Sequence, residues 1–479
     1  MNFKLVFKVT GKTLLLEAAA MVLPMLVGLI YREDPRPFLL AILITAAAGA
    51  LLSLPKASST LFAREGFFTV GLIWVLFGVF GALPFFFSGC FPSYVDCLFE
   101  SISGFSTTGA TILSEIESLP KGILFWRSFT HWLGGMGVLV LTLALLPSLG
   151  SRTAFLMRAE SPGPVKSKLV PKTSQSSKIL YSIYLVLTLI QIICLRCAGM
   201  DLFDSVVHAF ATAGTGGFST RNLSIAAYNS PTIEIILTIF MLLFALNFAV
   251  YFLILCGKWK RALKSDELRF FLILVALSGL VIAINIYTSG FGGFGTALRH
   301  SFFQVASVIS TTGFASADFN LWPELSRCIL VLLMFVGACA GSTGGGLKCA
   351  RVLLLLKNLR REIHELIHPR SVHVVKLDGQ VVEERVLHTV HVFFAAYLLI
   401  LAGGVLLVSL DNYSFTTTAT AVISCLGNIG PGLDLVGPMG NFTIFSNLSK
   451  LVLSLCMVIG RLEIFPILIL FSQNAWKRS

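Results

Sequence analysis

Four short stretches of this 479-residue chain share one ordering of residue types: an apolar segment, then small polar residues, then glycine. They are Ser101-Ile-Ser-Gly-Phe-Ser-Thr107-Thr108-Gly109-Ala, His208-Ala-Phe-Ala-Thr-Ala-Gly-Thr215-Gly216-Gly217-Phe-Ser, Ser307-Val-Ile-Ser-Thr311-Thr312-Gly313-Phe-Ala and Val422-Ile-Ser-Cys-Leu-Gly-Asn428-Ile429-Gly430-Pro-Gly. The chemistry on offer is the holding of a cation that has lost its water. Backbone carbonyls and threonine hydroxyls can replace the oxygens of a hydration shell. Glycine reaches conformations that aim carbonyls inward and leaves no Cβ in the pathway. A short helix before each loop would add the partial negative charge of its C-terminal end. A lone Thr-Thr-Gly is ordinarily a helix-packing element; four copies in matching context call for another explanation.

The elements that must position these loops follow from composition. The chain is 56% hydrophobic and only 13% charged, against about 25% charged for a soluble globular protein. Its mean hydropathy is +0.85. Such a chain has too little polar surface to cover itself in water, which excludes soluble enzymes, disulfide scaffolds and disordered proteins. Apolar runs long enough to cross a bilayer fall at about 14–30, 38–54, 67–88, 123–147, 178–198, 232–256, 269–288, 326–356 (through a glycine tract), 387–409 and 449–472. The first is no cleaved signal, because Tyr31-Arg-Glu-Asp follows it instead of a small-residue cleavage site. Shorter apolar stretches at 94–106, 202–213, 297–310 and 414–426 cannot cross and read as re-entrant helices. Each leads into one of the four loops. The loop glycines are 108, 96 and 117 residues apart, which implies four span–loop–span units from about 66 to 472. Unpaired backbone cannot face lipid, so four such loops at membrane depth must line something wet.

Ten spans return both termini to one side. Of the 36 Lys and Arg residues, 26 lie in the segments on that side, so both termini are expected in the cytoplasm and the short stretches enter from outside. The net charge of +12 is accordingly an orientation signal, and a nucleic-acid partner is not expected. The cysteines mostly sit in apolar runs as small buried thiols. Cys194-x-x-Cys197 has redox spacing without a thioredoxin-like setting, and pairing of Cys90 with Cys97 is left open. His131, His208 and His300 lie beside the pore segments and read as ordinary packed histidines.

With these motifs the chain resembles the TrkH/KtrB-type potassium uptake proteins, of the superfamily of K+ transporters, over essentially its whole length. Ten spans, two of them extra at the N-terminus, resemble the TrkH branch. The resemblance implies an all-α membrane protein: four fused span–pore-helix–span repeats around a central ion pathway, preceded by two extra transmembrane helices. The implied division is 1–65 for the two-helix extension, 66–150, 151–260 and 261–365 for the first three repeats, and 366–479 for a cytoplasmic connector with the fourth. It implies K+ held by backbone carbonyls of Thr107, Thr108, Gly109, Thr215, Gly216, Gly217, Thr311, Thr312, Gly313, Asn428, Ile429 and Gly430, with the four glycines at the selectivity positions. In related plant transporters a serine at the first position goes with sodium permeation; glycine at all four favours K+, with Rb+ as a surrogate. Two loops depart from the pattern: Gly216-Gly217 replaces Thr-Gly, and Asn428-Ile429-Gly430 lacks the threonine pair.

Two further features become gate candidates. Gly337-Ala-Cys-Ala-Gly341-Ser342-Thr343-Gly344-Gly345-Gly346-Leu-Lys348 is rich in residues that disfavour a continuous helix. It is no phosphate-binding loop, because Leu347 follows the glycines and Cys349 follows Lys348. In the family it resembles the intramembrane loop that gates conduction. Arg461 lies near the middle of the final apolar run, where a charge must face protein or water. A pairing with Glu463 or with carbonyls is the plain reading; the resemblance implies a side chain projecting into the pathway below the loops. The resemblance also implies a homodimer in the bacterial inner membrane on a cytosolic ring of TrkA-type regulators, with NAD or ATP/ADP bound by that partner. No catalytic chemistry and no organic cofactor are expected on this chain. Channel-like permeation and Na+- or H+-coupled symport share these motifs. The rival of another class is His364-Glu365-Leu-Ile-His368, which matches the H-E-x-x-H zinc-protease pattern, with Leu377-Asp378-Gly379 resembling a third-ligand motif. Its highly charged surroundings and Pro369 argue against it.

Overall fold

The computed structural model describes residues 3–55, 63–137, 173–371 and 373–471. The described residues are almost entirely helical; the one sheet is a two-stranded hairpin, β1 (Lys376–Leu377) with β2 (Gln380–Val381). Among the described residues, six helices are long and apolar enough to cross a bilayer: Phe3–Ile30, Arg36–Ser53, Glu65–Ser88, Lys178–Cys197, Asp266–Thr288 and Glu384–Asp411. The first two cross closely at glycine. A Cβ on Gly11 would lie 2.6 Å from the Gly49 carbonyl oxygen, so the contact is backbone on backbone, as small residues permit in membranes.

The remaining expected spans are not straight helices of that length. The expected span 123–147 is described as Lys121–Gly135, and its later residues lie outside the described segments. The expected span 232–256 is two helices, Pro231–Ala245 and Phe248–Leu255, bent by 90°. Asn247 starts the second piece by accepting from the Ala249 N–H at 2.9 Å. The span through the glycine tract is Glu324–Val336 and Cys349–Ile367, with the tract between them non-helical. The last is Asn447–Arg461 and Phe465–Phe471, separated where Glu463 and Ile464 take left-handed φ values of 55° and 67°. Breaks at membrane depth require other partners for the freed backbone groups. Here the breaks supply one another: Cys339 N–H donates to the Ala245 carbonyl at 3.0 Å and Phe248 N–H to the Gly341 carbonyl at 3.1 Å.

Between the spans lie four short helices: Tyr94–Phe105, Leu202–Gly214, Phe294–Ile309 and Phe415–Gly427. Three begin on side-chain caps from Ser93, Asp201 and Ser414. These pore helices coincide with the four short apolar stretches of the sequence, and each is almost completely enclosed in its C-terminal half. Aromatic side chains fill the space behind the first of them: Phe105 packs edge-on to Trp126, whose indole N–H donates to the Gly81 carbonyl at 3.0 Å.

Candidate ion pathway

All four pore helices end in the same way. The first or second residue after the helix end is left-handed: Thr107 at φ 57°, Thr215 at 57°, Thr311 at 59° and Asn428 at 55°. Its N–H bonds back three residues, and the next N–H bonds back five: Thr108 to Ser103, Gly216 to Ala211, Thr312 to Ser307 and Ile429 to Ser424, at 2.8–3.0 Å. This is the Schellman arrangement, which ordinarily takes glycine at the left-handed position. A β-branched threonine there costs of order 1–3 kcal/mol, and such strain is concentrated at functional sites. Two residues on, Gly109, Gly217, Gly313 and Gly430 are also left-handed, with φ of 78°, 77°, 84° and 101°. In the fourth loop the Gly430 carbonyl turns back to accept from Ser424 Oγ of its own pore helix at 2.7 Å.

The loops then meet in cyclic order. A Cβ on Gly109 would lie 1.8 Å from the Gly216 carbonyl oxygen, one on Gly217 2.0 Å from that of Thr312, and one on Gly313 2.0 Å from that of Ile429. One on Gly430 would lie 2.8 Å from the Thr108 carbonyl oxygen, which closes the circle. No residue but glycine fits any of the four positions. These contacts bring Gly109, Gly217, Gly313 and Gly430 together with the carbonyls of Thr108, Gly216, Thr312 and Ile429.

Outside the ring, the segments after the loops are stitched in the same rotation. Ile116 N–H donates to Asn222 Oδ1 at 2.7 Å, Ala226 N–H to the Ala315 carbonyl at 3.1 Å, Asp434 N–H to Asn320 Oδ1 at 2.9 Å, and Phe442 N–H to the Thr111 carbonyl at 2.8 Å. They enclose a vestibule of about 160 Å³ that reaches all four glycines. Its wall includes Arg127, which sequence reasoning missed. Arg127 is 1% exposed, pairs with Glu100 at 2.7 Å and lies 4.1 Å from the Phe218 ring. Glu100 also accepts from Thr111 Oγ1 at 2.9 Å and from the Ile112 N–H at 3.2 Å, fixing the segment after the first loop. The buried pair therefore places no net charge beside the pathway. In the seam between the fourth and first repeats, Lys450 Nζ meets Asp96 at 2.6 Å, again a buried pair.

On the side away from the vestibule, the glycine tract lies directly against the loops. Gly345 N–H donates to Thr311 Oγ1 at 2.7 Å. A Cβ on Gly345 would be 2.5 Å from the Gly427 carbonyl oxygen, and one on Gly344 2.8 Å from that of Ser310. The tract is anchored by Thr343 Oγ1 on the Phe244 carbonyl at 3.2 Å, by Ser342 Oγ on the Cys339 carbonyl at 2.6 Å, by Ala340 N–H on Glu267 at 2.6 Å, and by Lys348 Nζ on the Gly344 carbonyl. Gly341 and Gly346 take φ of 72° and 77°. Arg461 ends its helix against this tract. It donates to the Thr343 carbonyl at 2.6 Å and to the Gly134 and Gly135 carbonyls at 2.6 and 2.5 Å. Glu463, the partner considered for it from sequence, instead meets Arg351 at 2.5 Å. The guanidinium, with five fixed donors, ties the tract of the third repeat to the first repeat.

The H-E-x-x-H residues lie elsewhere. His364 is on the last turn of the helix that ends at Ile367 and His368 follows its end, with ring centroids 4.9 Å apart, and Glu365 lies near Arg361. Asp378, the third ligand such a site would recruit, accepts from the Asp266 N–H at 2.7 Å and so caps the neighbouring span. All ten cysteines are free thiols, Cys90 and Cys97 included.

A helical membrane protein with four pore-loop repeats closed around one ion pathway is the class this arrangement defines. The chain belongs to the TrkH family: the family profile, described as a cation transport protein, matches residues 36–478. It is 40% identical over 489 residues to the Trk system potassium uptake protein TrkH of Escherichia coli strain K12, with all of both chains covered. It is 34% identical to the Trk system potassium uptake protein TrkI of Halomonas elongata, covering 99% of this chain and 97% of that one. The crystal structure of the potassium transporter TrkH from Vibrio parahaemolyticus superposes on all of both chains with a TM-score of 0.90 at 34% identity.

Proposed function

We propose that this chain carries K+ into the cell through the ring of four loops, with Rb+ as a surrogate. The observation that carries the reading is the cyclic contact of each loop glycine with the carbonyl of the next loop. It supports four strands of inward carbonyls at a spacing no side chain can enlarge, the arrangement that substitutes for the hydration shell of a cation. The names of the full-length relatives support K+ as the ion. Conduction is channel-like, with dehydration at Thr107–Gly109, Thr215–Gly217, Thr311–Gly313 and Asn428–Gly430. The 341–346 tract, held by Lys348 and Arg461, closes the cytoplasmic exit.

The protein sits in the inner membrane with both termini cytoplasmic, in accord with the placement of its basic residues. Part of that pattern, residues 151–172 and the terminal Lys477 and Arg478, lies outside the described residues. The repeat boundaries are those read from the sequence; the one at 150/151 also lies outside them. Two chains pair and rest on a cytosolic nucleotide-binding ring of TrkA type, which carries the NAD or ATP/ADP sites. No catalytic step is assigned to this chain.

The test is the reversal potential of the purified chain in liposomes under opposed K+ and Na+ gradients. The reading expects a potential that follows the K+ equilibrium value. A potential shifted by the Na+ or H+ gradient would replace channel-like conduction with coupled symport. A potential indifferent to K+ would end the reading altogether.

A further inference from the structure

The four loops are supported from behind in three different ways. In the first and third, a serine and a threonine two residues apart bind each other: Ser106 Oγ to Thr108 Oγ1 at 2.8 Å, Ser310 Oγ to Thr312 Oγ1 at 2.7 Å. In the fourth, the same positions are Gly427 and Ile429, and the isoleucine folds over the glycine, so that a Cβ on Gly427 would lie 2.9 Å from Ile429 Cδ1. In the second they are Gly214 and Gly216, which have no side chain to offer. The space is occupied by His131, from the span that follows the first loop. A Cβ on Gly216 would lie 2.3 Å from His131 Cγ and Nδ1, and one on Gly214 2.2 Å from the His131 carbonyl oxygen.

We infer that His131 is a specificity-determining positioning residue, standing behind the second loop in place of the serine–threonine pair and fixing the Gly216 carbonyl in the ring; the inference rests on the K+-conducting reading. His131 is fully buried. Its Nδ1 lies 2.7 Å from the Gly104 carbonyl, which can only accept, so Nδ1 carries the proton. Its ring lies 4.2 Å from that of Phe218, the residue after Gly217. The imidazole is therefore held by the first pore helix through Nδ1 and presents its face, at Cγ, Nδ1 and Cδ2, to the back of the second loop. Close-packed interiors transmit such a constraint without slack. Discrimination between cations depends on where the carbonyls stand and how freely they move. A void behind Gly216 releases one quarter of the ring.

The experiment compares K+ over Na+ permeability, from bi-ionic reversal potentials, of the reconstituted full chain and its variants. His131→Ala is expected to lower the ratio about tenfold, equivalent to about 1.4 kcal/mol, while conduction persists. His131→Asn, whose Cγ, Nδ2 and Oδ1 stand where the three ring atoms nearest Gly216 stood, is expected to keep most of the ratio. Gly216→Thr alone collides with the imidazole and is expected to lose selectivity or assembled yield. His131→Ala with Gly216→Thr restores the side chain found in the first and third loops and recovers the ratio. Should neither His131 variant assemble, mutual rescue of assembled yield by the pair carries the test. An unchanged ratio in His131→Ala, a freely tolerated Gly216→Thr, or a pair no better than its singles overturns the inference. An unselective parent chain overturns the K+ reading instead, and the rescue of yield still reports on the pairing.

Discussion

Arg461 is bonded to three carbonyls from two repeats, and its worth lies in holding them at once. Hydrogen bonds from a charged donor contribute about 1.5–3 kcal/mol each when buried, so a net loss of half that changes a closed population tenfold. Arg461→Ala is expected to raise K+ flux into liposomes by about tenfold at equal protein; unchanged flux would count against its role in closure. Arg461→Lys, a point charge in place of a fork, should fall between the two. Asp434, in the outer segment after the fourth loop, gives a pH dependence. Hydroxyl donation from Ser414 and Thr417, at 2.6 and 2.7 Å, holds its carboxyl below the ordinary value. A depressed carboxyl contributes stability above its unfolded pKa of about 3.9, and that contribution is lost as pH falls through the folded value. The side chain is exposed, so Asp434→Asn should cost under about 1 kcal/mol at pH 7 and nothing once the acid is protonated, read as thermal midpoints at pH 7 and below pH 4. At this scale the sequence is most legible at the four glycines, which follow from order and spacing; the left-handed Thr107, Thr215, Thr311 and Asn428 are not legible, because that position ordinarily takes glycine. His131 and Arg127 are not, because their partners, Gly216 and Glu100, are remote in sequence and nothing in their own neighbourhood marks them.

The glycine tract is tied to the break between Pro231–Ala245 and Phe248–Leu255, so two interrupted spans complete each other's backbone bonding. One bond reaches the ring itself, from Gly345 N–H to Thr311 Oγ1. Thr311→Ala leaves that buried N–H without an acceptor, at about 1–3 kcal/mol. Flux is expected to rise in Thr311→Ala and to stay near the parent value in Thr311→Ser, which keeps the hydroxyl; the reverse order would separate the tract from closure. Shortening the tract within 341–346 should raise flux as well. The pore helices are readable because their length forbids crossing and their polar ends recur. The bend at Asn247 is not, since Leu246-Asn247-Phe248 sits in an unbroken apolar run and only the incoming tract gives the interruption its partners. The same holds for the end of the last span, where Glu463 and Ile464 turn left-handed beside Arg461.

The four repeats form a circle that the covalent chain crosses three times and leaves open once, between the fourth and the first. That seam is held by Lys450 with Asp96, by Asn428 Nδ2 on Thr108 Oγ1 at 3.0 Å, and by Phe442 N–H on the Thr111 carbonyl. Removing one member of a buried pair leaves an uncompensated charge, at about 3–5 kcal/mol. Lys450→Met is therefore expected to lower the thermal midpoint in detergent markedly, and Lys450→Met with Asp96→Asn to lower it less. Equal losses would place the cost in packing and not in charge. The period of the glycines makes the four units legible in the amino-acid order alone. Their rotation cannot be read there, because nothing in the spacing says which loop lies beside which.

The open seam also bears on how the molecule is made. The first loop leaves the ribosome hundreds of residues before the fourth, an interval of tens of seconds at ordinary synthesis rates. Through that interval the Thr108 carbonyl awaits the fourth loop, and the Asp96 carboxylate, bonded only to Ser93 Oγ at 2.8 Å, awaits the Lys450 cation. Three quarters of a ring is a polar cleft open to lipid, so the insertion machinery must shelter it until the last repeat arrives. A chain halted after its third unit would be a liability to the cell and not a weaker transporter.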